Sequence, residues 1–126
     1  MTRVLLIALA GALGTLSRYG VGIWARAALG ADFPYGTLIV NVVGCFLIAL
    51  VSQVALSTTL ISPTVRLTLT TGFMGGLTTY SSFNYETTSL LRERAWAAGL
   101  TNVALTLLAC FVAGWLGLVV ARRLAG

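Results

Sequence analysis

The residues of this chain best placed to do chemistry are uncharged. Thr78, Thr79, Ser81 and Ser82 cluster with Tyr80 and Phe83 inside the stretch Thr70–Glu86, TTGFMGGLTTYSSFNYE. Hydroxyls and amides donate hydrogen bonds without carrying charge, and an aromatic ring has a negative face but a positive edge. Tyr80 and Phe83, three residues apart, share one face of a helix. A path lined in this way suits a small, strongly hydrated anion that must move without being trapped. A deep arginine would hold such an ion too tightly, because conduction needs weak, multiple sites. Just upstream, Gly72, Gly75 and Gly76 weaken a helix, and a break at or just after the glycine pair exposes carbonyls near Gly75–Thr78. Carbonyls converging from two copies could coordinate a small alkali cation. Gly72 and Gly76 also form a GxxxG pair, whose plainer role is helix packing in a dimer.

Other chemistries lack their residues. The chain has no histidine and only three acids, Asp32, Glu86 and Glu93, so no carboxylate pair serves general acid–base work. Cys45 and Cys110 sit in apolar runs and read as small packing residues, able in principle to form a disulfide. With no CxxC pair and no histidine, a structural zinc site is not expected.

The elements that must position these groups are membrane spans. Of 126 residues, 58% are hydrophobic and 9% charged, with a mean hydropathy of +0.96, whereas a soluble domain carries about 25% charged residues. Polar, helix-weakening residues at membrane depth are tolerated only where they are buried or line a cavity, which is why Thr70–Glu86 stands out. A span needs ~20 mostly apolar residues, so the expected architecture is all-α, with four transmembrane helices in one membrane domain. Their approximate bounds are 4–29, 35–57, 66–91 and 96–120, with the third helix broken mid-membrane. Met1–Gly14 resembles a signal peptide, but the apolar character continues past Ser17, and it reads as the first span. Arg18 interrupts that span and is costly at depth, so it should face protein or water, as a wet vestibule wall or an interhelical hydrogen bond. Asn41 lies about two turns into span 2, where its plain role is interhelical glue worth ~1 kcal/mol or less. Asn102 and Thr106 stand one turn apart in span 4.

The net charge of +5 comes from eight arginines scattered near span ends. They read as anchors against anionic lipid headgroups and not as a nucleic-acid surface. Both termini and the span 2–3 loop carry Arg3, Arg66, Arg122 and Arg123, while the opposite side carries Arg26, Arg92 and Arg94. So small a bias leaves the chain free to insert both ways up, which favours an antiparallel, dual-topology homodimer.

At this point the residues match a known pattern. The chain resembles the Fluc/CrcB family of fluoride channels of bacterial membranes through three motifs in the right order. These are GxxGxxxRY at Gly11–Tyr19, GTLxxNxxG at Gly36–Gly44 and the long, specific TTGFxGGLTTxSxFxxE at Thr70–Glu86. The resemblance implies passive export of fluoride across the bacterial inner membrane through two pores per antiparallel dimer. It also implies a central structural sodium ion held by the backbone carbonyls of Gly75 and Thr78. The family's pore phenylalanines fall on Tyr80 and Phe83, its pore asparagine on Asn41, and its hydroxyl pair on Ser81 and Ser82, beside Thr79. Arg18 and Glu86 fall on vestibule or supporting positions.

Two departures stand out. Tyr80 occupies a position that is phenylalanine in most relatives. In span 4, where relatives carry a serine and a threonine one turn apart on the pore side, this chain has Cys110 and Gly114, with Asn102 and Thr106 as the available substitutes. A dual-topology exporter of cationic compounds is the main alternative, but it wants a buried carboxylate in span 1, and none is present. A non-transporting packing partner would leave Thr78–Ser82 unexplained. An enzyme fits least.

Overall fold

The computed structural model describes residues 1–126 and is helical from end to end, with short connections and no strand. Three helices are long and apolar enough to cross a membrane: α1 (Thr2–Leu29), α2 (Tyr35–Ser57) and α6 (Trp96–Ala125). The fourth crossing is composite. It begins as α3 (Pro63–Leu67), continues through a π-helical segment (Thr68–Met74) into the single turn α4 (Gly75–Leu77), and resumes after Thr78–Thr79 as α5 (Tyr80–Arg92). α1 runs unbroken through Arg18. Pro34 stands at the start of α2 as its N-cap, its carbonyl accepting the Leu38 N–H at 3.2 Å.

Each irregularity in the composite crossing has a local cause. Ser62 caps α3 by accepting from the Val65 N–H at 3.2 Å, with Pro63 following in a first-turn position that needs no donor. Thr68 and Thr70 then donate their hydroxyls to the carbonyls of Thr64 and Arg66, four residues back, at 2.8 and 2.9 Å. Such back-bonding competes with the backbone ladder and loosens the helix, and it leads into the widened π turns. Further on, the Thr78 hydroxyl and N–H both reach the Met74 carbonyl, at 2.8 and 2.9 Å, before Thr78 and Thr79 turn extended.

The helix parts just after the glycine pair, as the sequence leads one to expect. Gly75 and Gly76 stay helical, and the break falls two residues later. Gly72 and Gly76 are used for close approach to α1 within the same chain. A Cβ on Gly76 would collide with the Gly11 carbonyl, one on Gly72 would lie 2.9 Å from the Ala10 Cβ, and one on Gly14 would strike the Phe73 carbonyl. The GxxxG pair packs intramolecularly, and the small residues of span 1 are its counterpart.

The second close contact joins α2 and α6, which run parallel and share the most extensive interface of the fold. Gly117 of α6 fits under the Phe46 carbonyl, and a Cβ on Gly114 would sit 3.8 Å from the Cys45 carbonyl. α1 and the composite crossing make one pair and α2 and α6 the other, joined chiefly through α1–α2 and α5–α6. Only 16 of 126 residues are buried in the single chain, so the folded monomer must still cover most of its apolar surface with lipid or with another subunit.

Candidate functional site

The break at Thr78–Thr79 is held open by one side chain from α2. Asn41, 8% exposed, donates its Nδ2 to the Thr79 carbonyl at 3.1 Å and accepts the Thr79 N–H on Oδ1 at 2.7 Å. Both ends of the amide thus pair with one backbone unit, as an adjacent strand would. In a continuous helix the Thr79 N–H would close onto the Gly75 carbonyl; here it is diverted. The Ser82 N–H, which would close onto Thr78, is instead accepted by the Thr79 hydroxyl at 3.2 Å, the N-cap of α5. Arg18 takes the remaining position by donating Nε to the Gly76 carbonyl at 3.0 Å. The interhelical reading of Arg18 is the one observed.

Two consequences follow from this exchange of partners. The carbonyls of Gly75 and Thr78 lose the helical donors they would otherwise have. Meanwhile α5 begins abruptly at Tyr80, with the first N–H groups of a thirteen-residue helix pointing back at the break. The positive end of the helix dipole and the N–H groups ahead of the capped Ser82 make a local environment that favours negative charge. The sequence reading did not count this helix N-terminus among the donors, although Thr79 followed by Ser82 is a usable capping signal.

The hydroxyls gather at the same place. Thr79 Oγ1 lies 3.2 Å from Ser81 Oγ and donates to Ser82 Oγ at 3.1 Å. The three hydroxyls can rotate among themselves, so their protons can turn outward without moving the backbone. Tyr80 and Phe83 form a tilted ring pair, with centroids 5.6 Å apart and planes at 57°. Their surroundings differ sharply: Phe83 is 8% exposed, whereas Tyr80 is 78% exposed. The two rings share a face, as expected, but one is packed in the chain and the other stands outside it.

A cavity of about 460 Å³ lies alongside. Asn41, Thr78, Thr79 and Phe83 line it, together with Thr106 and Cys110 of α6. Phe111 stands at its margin, 78% exposed like Tyr80. Both aromatics therefore lie open on the surface of the single chain. Thr106 reaches this cavity, but Asn102 does not line it. Asn102 is 1% exposed and donates Nδ2 to Thr87 Oγ1 at 2.9 Å, while its Oδ1 accepts from Thr106 at 3.3 Å. The Thr87 hydroxyl in turn donates to the Phe83 carbonyl at 2.7 Å. This chain of hydrogen bonds fixes α5 against α6, so Asn102 is a supporting residue that holds the turn carrying Phe83.

Glu86 belongs to a different region. It shares a cavity of about 430 Å³ at the α1–α2 connection with Arg26, Asp32, Tyr35 and Thr37. Its Oε1 accepts from the Thr37 hydroxyl at 2.8 Å, and its Oε2 is buried without a hydrogen-bond partner. It lines the cavity at the α1–α2 connection and not the one beside Phe83, one turn earlier on α5. The structure therefore brings Asn41, Thr78, Thr79, Ser81, Ser82 and Phe83 together around one break, with Arg18 bracing it and Glu86 apart.

Comparison with known proteins shows which proteins the chain resembles. Residues 5–118 match the family model described as CrcB-like protein, Camphor Resistance (CrcB). A protein of Sorangium cellulosum called Fluoride-specific ion channel FluC is 57% identical over 124 residues, covering 98% of each chain. Proteins of the same name from Geobacter metallireducens and Anaeromyxobacter sp. (strain K) are 49% and 46% identical. The first of these matches covers 98% of this chain and 100% of its relative, and the second covers 100% of both.

Proposed function

The chain belongs to the CrcB-like family of fluoride channels and is not an enzyme; from that premise we propose that it conducts fluoride passively across the bacterial inner membrane, as an antiparallel homodimer with two pores. The cytoplasm exports fluoride by this route whenever its internal concentration exceeds that outside, which lowers fluoride toxicity. The observation that carries the reading is the uncharged donor cluster at the break. The hydroxyls of Thr79, Ser81 and Ser82 gather at the start of α5, and the Tyr80–Phe83 ring pair stands in its first turn, with no cation among them.

Fluoride is small and holds its water tightly, so a conducting path must replace that water with donors. Rotatable hydroxyls and ring edges do so in several weak steps, which lets the ion leave as easily as it enters. Arg18 is the nearest candidate for a deep cationic trap, and its Nε is engaged by Gly76. The exposed Tyr80 and Phe111 support a second copy as the missing wall, since a lone chain presents both to lipid.

The residues also fit a structural sodium ion. Gly75 and Thr78 carbonyls have lost their helical donors, and uncharged oxygens suit a hard monovalent cation. Two oxygens are too few for such an ion, so the same pair from a second copy would complete the set. When bound, the ion supplies positive charge that draws the two breaks together; Asn41 and Arg18 keep the backbone in the shape that presents those carbonyls.

The test is anion efflux from liposomes reconstituted with the full chain. Fluoride release without chloride release is expected, and flux of neither ion would overturn the reading. Replacing sodium with a large organic cation on both sides should lower the flux or dissociate the dimer; no change in either would remove the sodium assignment.

A further inference from the structure

The chain contains four sulfur atoms, and all but that of Met1 line one cavity. Cys45 on α2, Cys110 on α6 and Met74 at the end of the π segment all face the space beside Phe83. Both thiols are free and partly exposed. They line the same cavity from the two sides of the α2–α6 interface, where a Cβ on Gly114 would sit 3.8 Å from the Cys45 carbonyl. Met74 is 3% exposed, so its thioether is fixed in the cavity wall. Three sulfurs from three different elements on one apolar cavity is a donor set for a soft metal and for little else.

We propose that Cys45 and Cys110, with Met74 alongside, form a binding site for a soft divalent metal ion of the mercury type, positioned within the fluoride pathway. Geometry and charge both point to that class. A metal–thiolate bond of about 2.3 Å sets two sulfurs roughly 4.6 Å apart around a two-coordinate ion, a span that facing side chains on packed helices can offer. Two thiolates neutralise a dication, so the complex carries no net charge into a medium where an unpaired charge is costly. A hard or tetrahedral ion is not served, because no group of three histidine, cysteine or acidic side chains comes together anywhere in the chain. The reaction balances without an oxidant: one mercuric chloride and two thiols give one bis-thiolate complex, two protons and two chlorides. Mercuric chloride is uncharged and can reach the site from lipid or from the cavity.

That occupancy of this site closes the path rests on the fluoride-channel reading; metal binding itself does not, and the two are read separately. Purified full-length protein in detergent is given one equivalent of mercuric chloride, then desalted in the presence of a competing monothiol. The expected result is one mercury retained per chain with both thiols lost to titration, together with a mercury–thiolate charge-transfer band in the ultraviolet. Cys45→Ser and Cys110→Ser, and the corresponding alanine variants should either serine variant misfold, each keep one thiol and should lose the metal to the competitor. Equal retention by single-cysteine variants, or one mercury bound per thiol, would overturn the shared site. In liposomes, mercuric chloride should slow fluoride efflux roughly tenfold or more, with recovery in dithiothreitol and no effect on the Cys45→Ser/Cys110→Ser double variant. Retention of the metal with unchanged efflux would overturn its placement in the pathway. Absence of efflux before any metal is added would instead count against the channel reading.

Discussion

Asn41 commits both ends of its amide to Thr79, so replacing it acts on the break before it acts on any ion. Asn41→Ala leaves a buried N–H without a partner, at a cost of about 1–3 kcal/mol. The variant should unfold at lower denaturant, and fluoride efflux should fall with it. Asn41→Asp keeps an acceptor for the Thr79 N–H but sets an oxygen against the Thr79 carbonyl, so it should be at least as damaging; wild-type stability in either variant would contradict the pairing. Phe83 offers a different kind of test. Phe83→Ile preserves apolar bulk in a buried position but removes the ring edge, and should cut efflux sharply while the protein stays folded. Unchanged efflux would show that the ring only packs. Tyr80→Phe retains the ring pair and removes only an exposed hydroxyl, so its efflux rate compared with wild type isolates what that hydroxyl contributes.

At the scale of elements, neighbouring glycines in α4 separate two kinds of demand. A Cβ on Gly76 meets the Gly11 carbonyl, whereas one on Gly75 has only the Thr70 carbonyl at 3.8 Å. Gly76→Ala should therefore destabilise the chain by about 1–3 kcal/mol through overpacking, measurable by equilibrium unfolding in detergent. Gly75→Ala should leave the fold of one chain unchanged. Loss of dimer in Gly75→Ala, read by cross-linking, would then report on the second copy or the ion and not on helix packing. The sequence shows why the break was readable to within two residues but not placed. Glycine and hydroxyl content marks a weak helix, yet which residue leaves the helix depends on Asn41, thirty-eight residues away, capturing one N–H. The π turns left no periodic signature because they arise from threonine side chains bonding backward. Cys45 and Cys110 each looked like a small packing residue, since nothing in either run says that they line the same cavity. The sequence offers Asn102 as either a vestibule or a supporting residue, and its burial against Thr87 favours support.

For the whole molecule, the proposed antiparallel pairing rests on the near balance of arginines between the two sides, which would let one sequence supply both orientations. Adding two or three arginines to the C-terminus should bias insertion one way and abolish efflux in cells. Adding them to the α1–α2 connection should do the opposite, and co-expressing the two variants should restore efflux; activity in either variant alone would argue against antiparallel pairing. The composite crossing Pro63–Arg92 has a further consequence, for biogenesis. Each of its helical segments is too short to span a membrane by itself, whereas α1, α2 and α6 are each long and apolar enough. While the chain is still on the ribosome, the segment proposed to carry the ion path is therefore the one the insertion machinery is least able to retain in the bilayer. Its entry must wait for α6 to emerge, and for α1 to offer the surface that Gly72 and Gly76 fit. A nascent chain truncated after Arg94 should leave this segment accessible to protease, and the pore would be the last part of the protein to enter the membrane.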